Sequence, residues 1–454
     1  MASRSMTILV LAGVALGAGC KVAARAAEPG RDVVTVDLGT RLQTIDGLGG
    51  FGPKKLWWDA PPHFDQQYLD RIVDELGTSV LRTQLYWDFE PANDDADPRH
   101  AELARFNFGP DSDNGKQIAF IRALAARGVK LIASAWTPPV WMKLDPDDKL
   151  ASFCHGQCGG RLDPTKRDEF AEYLVTYVKV LKEKSGVDLY ALSFQNEPLF
   201  AQGFESCVYK EADYAKTLEV VGARFRAEGL RTKLFGPEHM GSYKWNAAFF
   251  EHLLDDKDAA RYLDIFAVHS YVDGVRADYG SAEGWSRMAE RVGAAGKPLW
   301  MTETSGYDGS WAKAFDTARA LHLALRHGRV AGWVYWYYSD NLFTKGEPNP
   351  LFYALASYYR FIRPGATQVG SSATDENVLV TAFQRAGTLT VVLINNAASE
   401  RRLALQVAGG ALPTPVTAYR TSEREKFVKL GRVDPAAIVL PATSITTLVA
   451  GKAP

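Results

Sequence analysis

Glu197 closes an apolar run, Asp188-Leu-Tyr-Ala-Leu-Ser-Phe-Gln-Asn-Glu197, and Pro198 follows it. Glu303 closes a second run, Pro298-Leu-Trp-Met-Thr-Glu303. An apolar, β-prone run reads as a buried strand. A strand that turns polar only at its end presents those last side chains at its C-terminal tip. Two carboxylates presented this way can divide acid–base and nucleophilic work between them, provided their surroundings push their proton affinities apart. Glu197 alone could equally be an ordinary loop carboxylate. What decides is whether the chain brings the two tips to one place.

The elements needed to do so follow a repeating order. Apolar positions at helical spacing fall in 64–76, 115–127, 167–184, 211–228, 246–254, 283–293 and 311–327, and strand-like runs alternate with them. The strands count to eight: 46–52, 79–85, 129–135, 188–195, 233–237, 263–269, 298–303 and 331–336. Eight βα units predict a (β/α)8 TIM barrel over 46–362, with a doubly wound sheet as the alternative. Gly47-Leu-Gly-Gly-Phe-Gly52 formally matches a dinucleotide-binding fingerprint, but Pro53-Lys-Lys-Leu-Trp-Trp58 gives no helix for it to open, so a tightly packed strand is expected. From about 365 helical spacing gives way to short alternating runs at 378–383, 389–395, 402–407, 416–419, 438–440 and 444–449, which read as an antiparallel β-sandwich. The strand-like residues 33–45 have no place in the barrel. They are expected to join that sheet, giving a side β-sandwich domain built from both chain termini, 30–45 plus 363–451.

At 454 residues, a large barrel with a smaller domain is the expected size class. The net charge is −1 and no basic patch emerges, so no nucleic-acid partner is expected. The 11 Trp and 19 Tyr are plentiful; many are expected in the core, and those near strand ends also suit sugar faces. Residues 1–26 read as a signal peptide: Arg4, an apolar run from Met6 to Ala18 too short to span a bilayer, and Ala24-Arg25-Ala26 as a cleavage site. Leu16-Gly-Ala-Gly-Cys20 is an imperfect lipoprotein signal ending before Cys20. The expected location is therefore secreted or periplasmic, or lipid-anchored through Cys20, with no transmembrane span and a monomeric chain. Among Cys154, Cys158 and Cys207, one disulfide and one free thiol are expected. The sequence Cys154-His155-Gly-Gln-Cys158 raises a metal alternative with Cys207 as a further ligand, which needs reduced thiols in an exported protein.

Under the eight-strand count Glu197 tips the fourth strand and Glu303 the seventh, at one barrel mouth. Opposed carboxylates there are what glycoside hydrolysis requires. Asn196-Glu197-Pro198 and Trp300-Met-Thr-Glu303 resemble the paired glutamates of retaining (β/α)8 glycosidases. With Asp46–Gly52, Ala135-Trp-Thr-Pro-Pro-Val-Trp-Met-Lys143, Gly186–Pro198 and Phe361-Ile-Arg-Pro-Gly365, in that order, the chain resembles glycoside hydrolase family 30. That family holds glucosylceramidases, β-1,6-glucanases and bacterial xylanases.

The resemblance implies Glu197 as acid/base and Glu303 as nucleophile, ~5–5.5 Å apart. It implies Asn196 on the sugar 2-hydroxyl and Arg82 beside Glu303. It also implies Trp136, His269, Tyr271 and Trp336 lining the subsite for the cleaved sugar, with no metal or organic cofactor. Arg82 could instead be a structural ion-pair partner, His269 a satisfied core histidine, and some aromatics around Trp336 must be core. Glu238, tipping the fifth strand, is read as supporting rather than catalytic. The loop Tyr338–Glu347 carries Lys345 but no arginine matching the one that grips glucuronate in related xylanases, and Asp340 would repel a carboxylate. Neutral β-glycans (xylan, β-1,6-glucan, β-1,6-galactan) or a glucosyl lipid remain as the oligo- or polysaccharide-class substrate. The insertion 143–165, tied by Cys154 or Cys158 to Cys207, is expected to wall one end of the cleft and make the action exo. A non-catalytic carbohydrate-binding barrel is the reading from another class, and two opposed glutamates with Asn196 argue against it.

Overall fold

The computed structural model describes residues 32–52, 64–146, 154, 156–241, 243–272 and 281–452. The expected signal peptide, Cys20, Pro53–Trp58 and His155 lie outside these residues.

The first described strand, β1 (Asp32–Thr44), belongs to the side domain. The barrel then runs through β2 (Gly47–Phe51), β3 (Val80–Leu85), β4 (Lys130–Ala135), β5 (Ala191–Ser193), β6 (Lys233–Gly241), β7 (Ile265–Val272), β8 (Leu299–Glu303) and β9 (Gly332–Tyr335). These eight form a closed barrel in the order β8-β9-β2-β3-β4-β5-β6-β7, every neighbouring pair parallel. The eight-strand expectation is borne out and the doubly wound alternative is excluded. The fourth strand is shorter than expected, three residues instead of 188–195. Its last residues leave the ladder to deliver Asn196 and Glu197 to the mouth.

Glycine lets β2 sit where it does. A Cβ on Gly49 would stand 1.7 Å from the Val80 carbonyl oxygen of β3, and one on Gly50 would stand 2.0 Å from the Tyr338 ring. The run is a close-packed strand, not a nucleotide loop. The outer ring includes α1 (Arg167–Ser185), α2 (Glu211–Ala227), α3 (Tyr243–Asp255), α4 (Ala282–Ala294), α5 (Trp311–Arg326) and α6 (Pro350–Tyr359). α1 buries Phe170, Leu174, Val178 and Leu181, its i, i+4, i+8 and i+11 face, against the barrel. It stops at Gly186, which takes φ 76° as a left-handed cap.

The side domain continues with β10 (Thr367–Ala373), β11 (Val378–Arg385), β12 (Thr388–Asn395), β13 (Arg401–Ala408), β14 (Val416–Thr421), β15 (Val428–Arg432), β16 (Ile438–Leu440) and β17 (Ser444–Ala450). Its ladder is continuous over nine strands, β15-β14-β17-β12-β11-β10-β1-β13-β16. The two arms close on one apolar interior, in which Leu403, Ile438 and Leu440 share a cluster with Val416, Ala418 and Leu448. That interior makes it a sandwich. Two features differ from expectation. β1 pairs antiparallel with β10 but parallel with β13, so the sheet is mixed. The strands β10 and β15 were not expected, since Thr-Gln-Val-Gly-Ser-Ser-Ala is nearly polar and β15 is an exposed edge. On its other face the sheet sends Phe383, Val392, Ile394 and Ile445 into the barrel's own core, with Thr447 Oγ1 donating to Ser357 O of α6 at 2.6 Å.

Candidate active site

Strand tips bring the expected residues together. Glu303 is the last residue of β8 and pairs in register with His269 of β7. Glu197 stands beyond the tip of β5 with φ 46°, and Glu238 stands within β6 with φ 56°. Both are in the left-handed region, which non-glycine residues occupy at a cost and which concentrates at functional sites. The two segments are tied by Glu197 N–H donating to Glu238 O at 3.2 Å.

Arg82 of β3 is fully buried at the centre. Its Nη1 donates to Glu303 Oε2 at 2.5 Å, its Nη2 donates to Asn196 Oδ1 at 2.7 Å and lies 3.0 Å from Glu238 Oε1, and its Nε donates to Ser134 Oγ at 2.9 Å. Burial opposes its charge, but the Glu238 and Glu303 carboxylates more than offset that and raise its pKa. Tyr271 OH donates to Glu303 Oε1 at 2.9 Å. Glu303 is thus held by a cation on one oxygen and a hydroxyl on the other. Because Asn196 Oδ1 is committed to Arg82, its NH2 is left as the donor toward the cleft that Asn196 lines.

Glu197 has a different shell. His269 Nδ1 lies 2.9 Å from its Oε1, and Gln202 Nε2 donates to its Oε2. His269 Nε2 lies 3.7 Å from Glu238 Oε1. Burial pulls the His269 pKa down, but the Glu303 charge and the bonds to Glu197 and Glu238 lift it to about 9. Burial raises the Glu238 pKa, but Arg82 and His269 bring it down to about 2. The pair therefore stands as an imidazolium beside a carboxylate.

A cleft of about 470 Å³ opens over these groups, lined by Trp136, Trp336, Asn196, Glu197, Glu303, Tyr86, Gln84, Asp113, Phe204, Glu205, and the Cys154–Cys158 loop with Gln157. A larger hollow of about 550 Å³ lies by Lys130, Tyr190 and Lys233, at the opposite ends of the strands, where barrels carry no chemistry. Trp136 covers Arg82 at 4.7 Å and meets Trp336 at 5.9 Å. Of the five aromatics at 333–338, Trp333, Tyr335 and Tyr338 are fully buried, and Trp336 is the one lining the cleft.

Two expectations need correction. His269 does not line the sugar subsite: it is fully buried, behind Glu197, because both its nitrogens face carboxylates. Cys207 does not tie the insertion; Cys154 bonds to Cys158, and Cys207 is free and buried. The disulfide also removes the thiolates that a metal site there would need. The insertion is anchored instead by Lys143, whose Nζ donates to Gln157 O and Ser206 O, both at 2.9 Å.

The sequence reading also missed Gln202, Gln84, Glu205 and Phe204. Gln202, Phe204 and Glu205 follow Glu197 in a loop without periodicity, and Gln84 near the end of β3 reaches that loop, its Nε2 donating to Glu205. One signal was available: Phe204 and Glu205 sit within eight residues of Glu197.

Glu197, His269 and Glu303 bring ligand-type atoms within 4.8 Å of one another, so their fit to a metal is a fair question. They fit poorly. A protonated imidazole has no lone pair to give, and Arg82 already occupies Glu303.

Fold and site together define a glycoside hydrolase of the barrel type with two glutamates at its mouth. The family description "Glycosyl hydrolase family 30 TIM-barrel domain" matches residues 90–215, and "Glycosyl hydrolase family 30 beta sandwich domain" matches 365–448. The glucuronoxylanase XynC of Bacillus subtilis (strain 168) is 25% identical over 376 residues, 80% of this chain and 78% of that protein. The lysosomal acid glucosylceramidase of Mus musculus is 23% identical over 342 residues, 67% of this chain and 64% of that protein. The solved structure of the family 30 subfamily 8 xylanase Xyn30A from Clostridium acetobutylicum shares the fold with a TM-score of 0.74 at 24% identity, covering 92% of this chain and all of that one. In both its barrel and its side domain the chain resembles glycoside hydrolase family 30.

Proposed function

We propose that this chain is an exported retaining β-glycosidase acting on neutral β-glycans by double displacement. The observation that carries it is the closeness of the two glutamates. An oxygen of each lies within 4.8 Å of the other and of His269, close to the ~5–5.5 Å of retaining enzymes and well short of the ~6.5–9.5 Å of inverting ones. Glu303, steadied by Arg82 and Tyr271, attacks C1 and forms the glycosyl ester. Glu197 gives its proton to the leaving oxygen, then takes one from the water that hydrolyses the ester. Asn196 donates to the 2-hydroxyl beside the reacting carbon. Trp136 and Trp336 offer apolar faces to the ring.

Charge supports a neutral substrate. Asp113 and Glu205 join the two glutamates in the cleft, and no Lys or Arg is among the residues lining it. A uronate-bearing chain would meet repulsion there, so the similarity to a glucuronoxylanase does not extend to its acidic side group. Lys345 is exposed and outside that lining. The Cys154–Cys158 loop walls the cleft and favours exo action. A second reading, a glucosyl lipid substrate, has its own support: Leu199, Phe200 and Phe204 form an exposed apolar lip just after Glu197. The N-terminal signal supports export, and no helix among the described residues is long and apolar enough to cross a membrane.

The test is a digest of xylan, β-1,6-glucan, β-1,6-galactan and glucosylceramide by wild type and Glu303→Gln, with products read by mass. Wild type is expected to release short products from one neutral substrate and Glu303→Gln none. Glu197→Gln is expected to lose ~10²–10⁴-fold. Equal turnover by Glu303→Gln refutes the mechanism, a ladder of long oligosaccharides refutes exo action, and cleavage of glucosylceramide alone favours the second reading.

A further inference from the structure

The two oxygens of Glu197 have unlike partners. Oε1 faces His269 Nδ1 at 2.9 Å, and Oε2 accepts from Gln202 Nε2. His269 stands fully buried as an imidazolium, with Nε2 3.7 Å from Glu238 Oε1. A ring protonated on both nitrogens donates from both and accepts at neither. That charged donor repels a proton from Oε1, so the acid proton sits on Oε2. There the neutral amide of Gln202 takes one of the two lone pairs. The other is left for the proton, beside the cleft that Glu197 lines.

Gln202 is buried although it belongs to no helix or strand. Ser206 holds it: Ser206 Oγ accepts from Gln202 N–H at 3.1 Å and from Gly159 N–H at 3.0 Å. Ser206 N–H donates to Gln157 O at 3.1 Å, and Gln157 N–H donates to Cys154 O at 2.7 Å inside the disulfide ring. Lys143 Nζ closes the same knot through Gln157 O and Ser206 O. The turn that carries Gln202 is thus stapled to the Cys154–Cys158 loop. Holding a glutamine in one rotamer costs side-chain entropy, and an anchored backbone lets a single hydrogen bond suffice.

We propose that Gln202 is the positioning residue of the acid/base: it fixes Glu197 Oε2 as the oxygen that carries the proton and aims that proton at the leaving group, while Ser206 and the Cys154–Cys158 loop hold Gln202 in place. The proposal rests on the reading of Glu197 as acid/base. In the step itself the Oε2–H bond breaks as the O–H bond of the leaving alcohol forms. The electrons of the C1–O bond stay with the leaving oxygen, and Glu303 closes on C1. Gln202 keeps its own protons throughout. It is not among the residues lining the cleft, so it acts only through Glu197. Its loss must therefore show only where proton donation is needed. A leaving group that departs as a stable anion needs no proton, whereas the hydroxyl of an ordinary sugar does.

The test measures kcat/KM of wild type, Gln202→Met and Glu197→Gln on two substrates: the neutral oligosaccharide that the digest identifies, and the 2,4-dinitrophenyl glycoside of the same sugar. Methionine keeps the length of the side chain and removes the donor. Gln202→Met is expected to lose about 10–100-fold on the oligosaccharide and less than about 3-fold on the dinitrophenyl glycoside. Equal losses on both substrates would make Gln202 a structural residue, and no loss on either would make it idle; each overturns the proposal. A split between the substrates in Glu197→Gln without one in Gln202→Met overturns the proposal alone. No split in Glu197→Gln, or a wild type inactive on both, overturns the acid/base reading and the proposal with it. Should Gln202→Met not fold, Ser206→Ala carries the test. It removes the acceptor of Gln202 N–H and is expected to show the same split, smaller, and its absence overturns the proposal.

Discussion

At the scale of the residue, the centre is a charge network with Arg82 and His269 as its cations. His269 has a folded pKa of about 9, against the ordinary 6.5. A raised pKa means stabilisation that is fully present below pH 6.5 and is lost as pH rises through 9. The shift corresponds to on the order of 3 kcal/mol. Glu238, lowered to about 2, acts oppositely: its contribution is present above pH 4.5 and is lost as pH falls toward 2. Melting curves of wild type should therefore drop between pH 7 and about 9, while those of His269→Gln should lack that component. Parallel curves would show that His269 does not carry the alkaline loss. Much of this network was legible in the sequence, because Glu197, Asn196 and Glu303 stand at strand tips and the resemblance implied Arg82 and Tyr271 beside them. Gln202 was not, since its bond to Glu197 depends on a loop turning back over five residues. The true place of His269 was also hidden, because a strand pattern says which residues share a face and not which lie behind another side chain.

At the scale of the element, the tips meet only because the strands close at the right spacing, and β2 is the tightest part of that closure. Its run of glycines gives no hydrophobic signal of its own, yet the sequence marked it through the absence of any helix for a nucleotide loop to open. Gly49→Ala would place a methyl carbon 1.7 Å from the Val80 carbonyl oxygen, a backbone atom that cannot turn aside. The β2–β3 pairing must then separate, and a destabilisation of about 3 kcal/mol is expected. Arg82 stands in β3 opposite Phe51, so activity should fall with stability. Denaturant melts and turnover of the same variant check both, and an unchanged midpoint would show that the barrel yields there. The strands missed from sequence, β10 and β15, are those whose composition is polar or whose faces are wet. Alternation carries little information where neither face is fully buried.

At the scale of the whole molecule, β1 joins two parts that sequence periodicity separates by more than three hundred residues. It lies inside the nine-stranded ladder, between β10 and β13, and the two residues after it lead directly into the barrel: Ile45 N–H donates to Ala366 O and Asp46 N–H to Ala331 O. Its membership in the side domain could be read from the sequence, because an apolar alternation preceding the first barrel strand had nowhere else to pair. Its parallel register with β13 could not, because period-two patterning is the same in either direction. The position has a consequence for folding. Removing residues 32–44 takes an inner strand from the sheet, leaves β10 and β13 with unpaired edges, and opens the apolar interior holding Val34 and Val36. The same sheet feeds Phe383, Val392, Ile394 and Ile445 into the barrel core, so the damage reaches the catalytic domain. A chain without residues 32–44 should be recovered mainly as aggregate, and any soluble fraction should melt well below the intact chain with little activity. The intact chain should unfold in one calorimetric transition, since the shared core couples the two parts. A soluble truncated chain with undiminished turnover, or two well-separated transitions in the intact one, would mean that the barrel stands without its side domain.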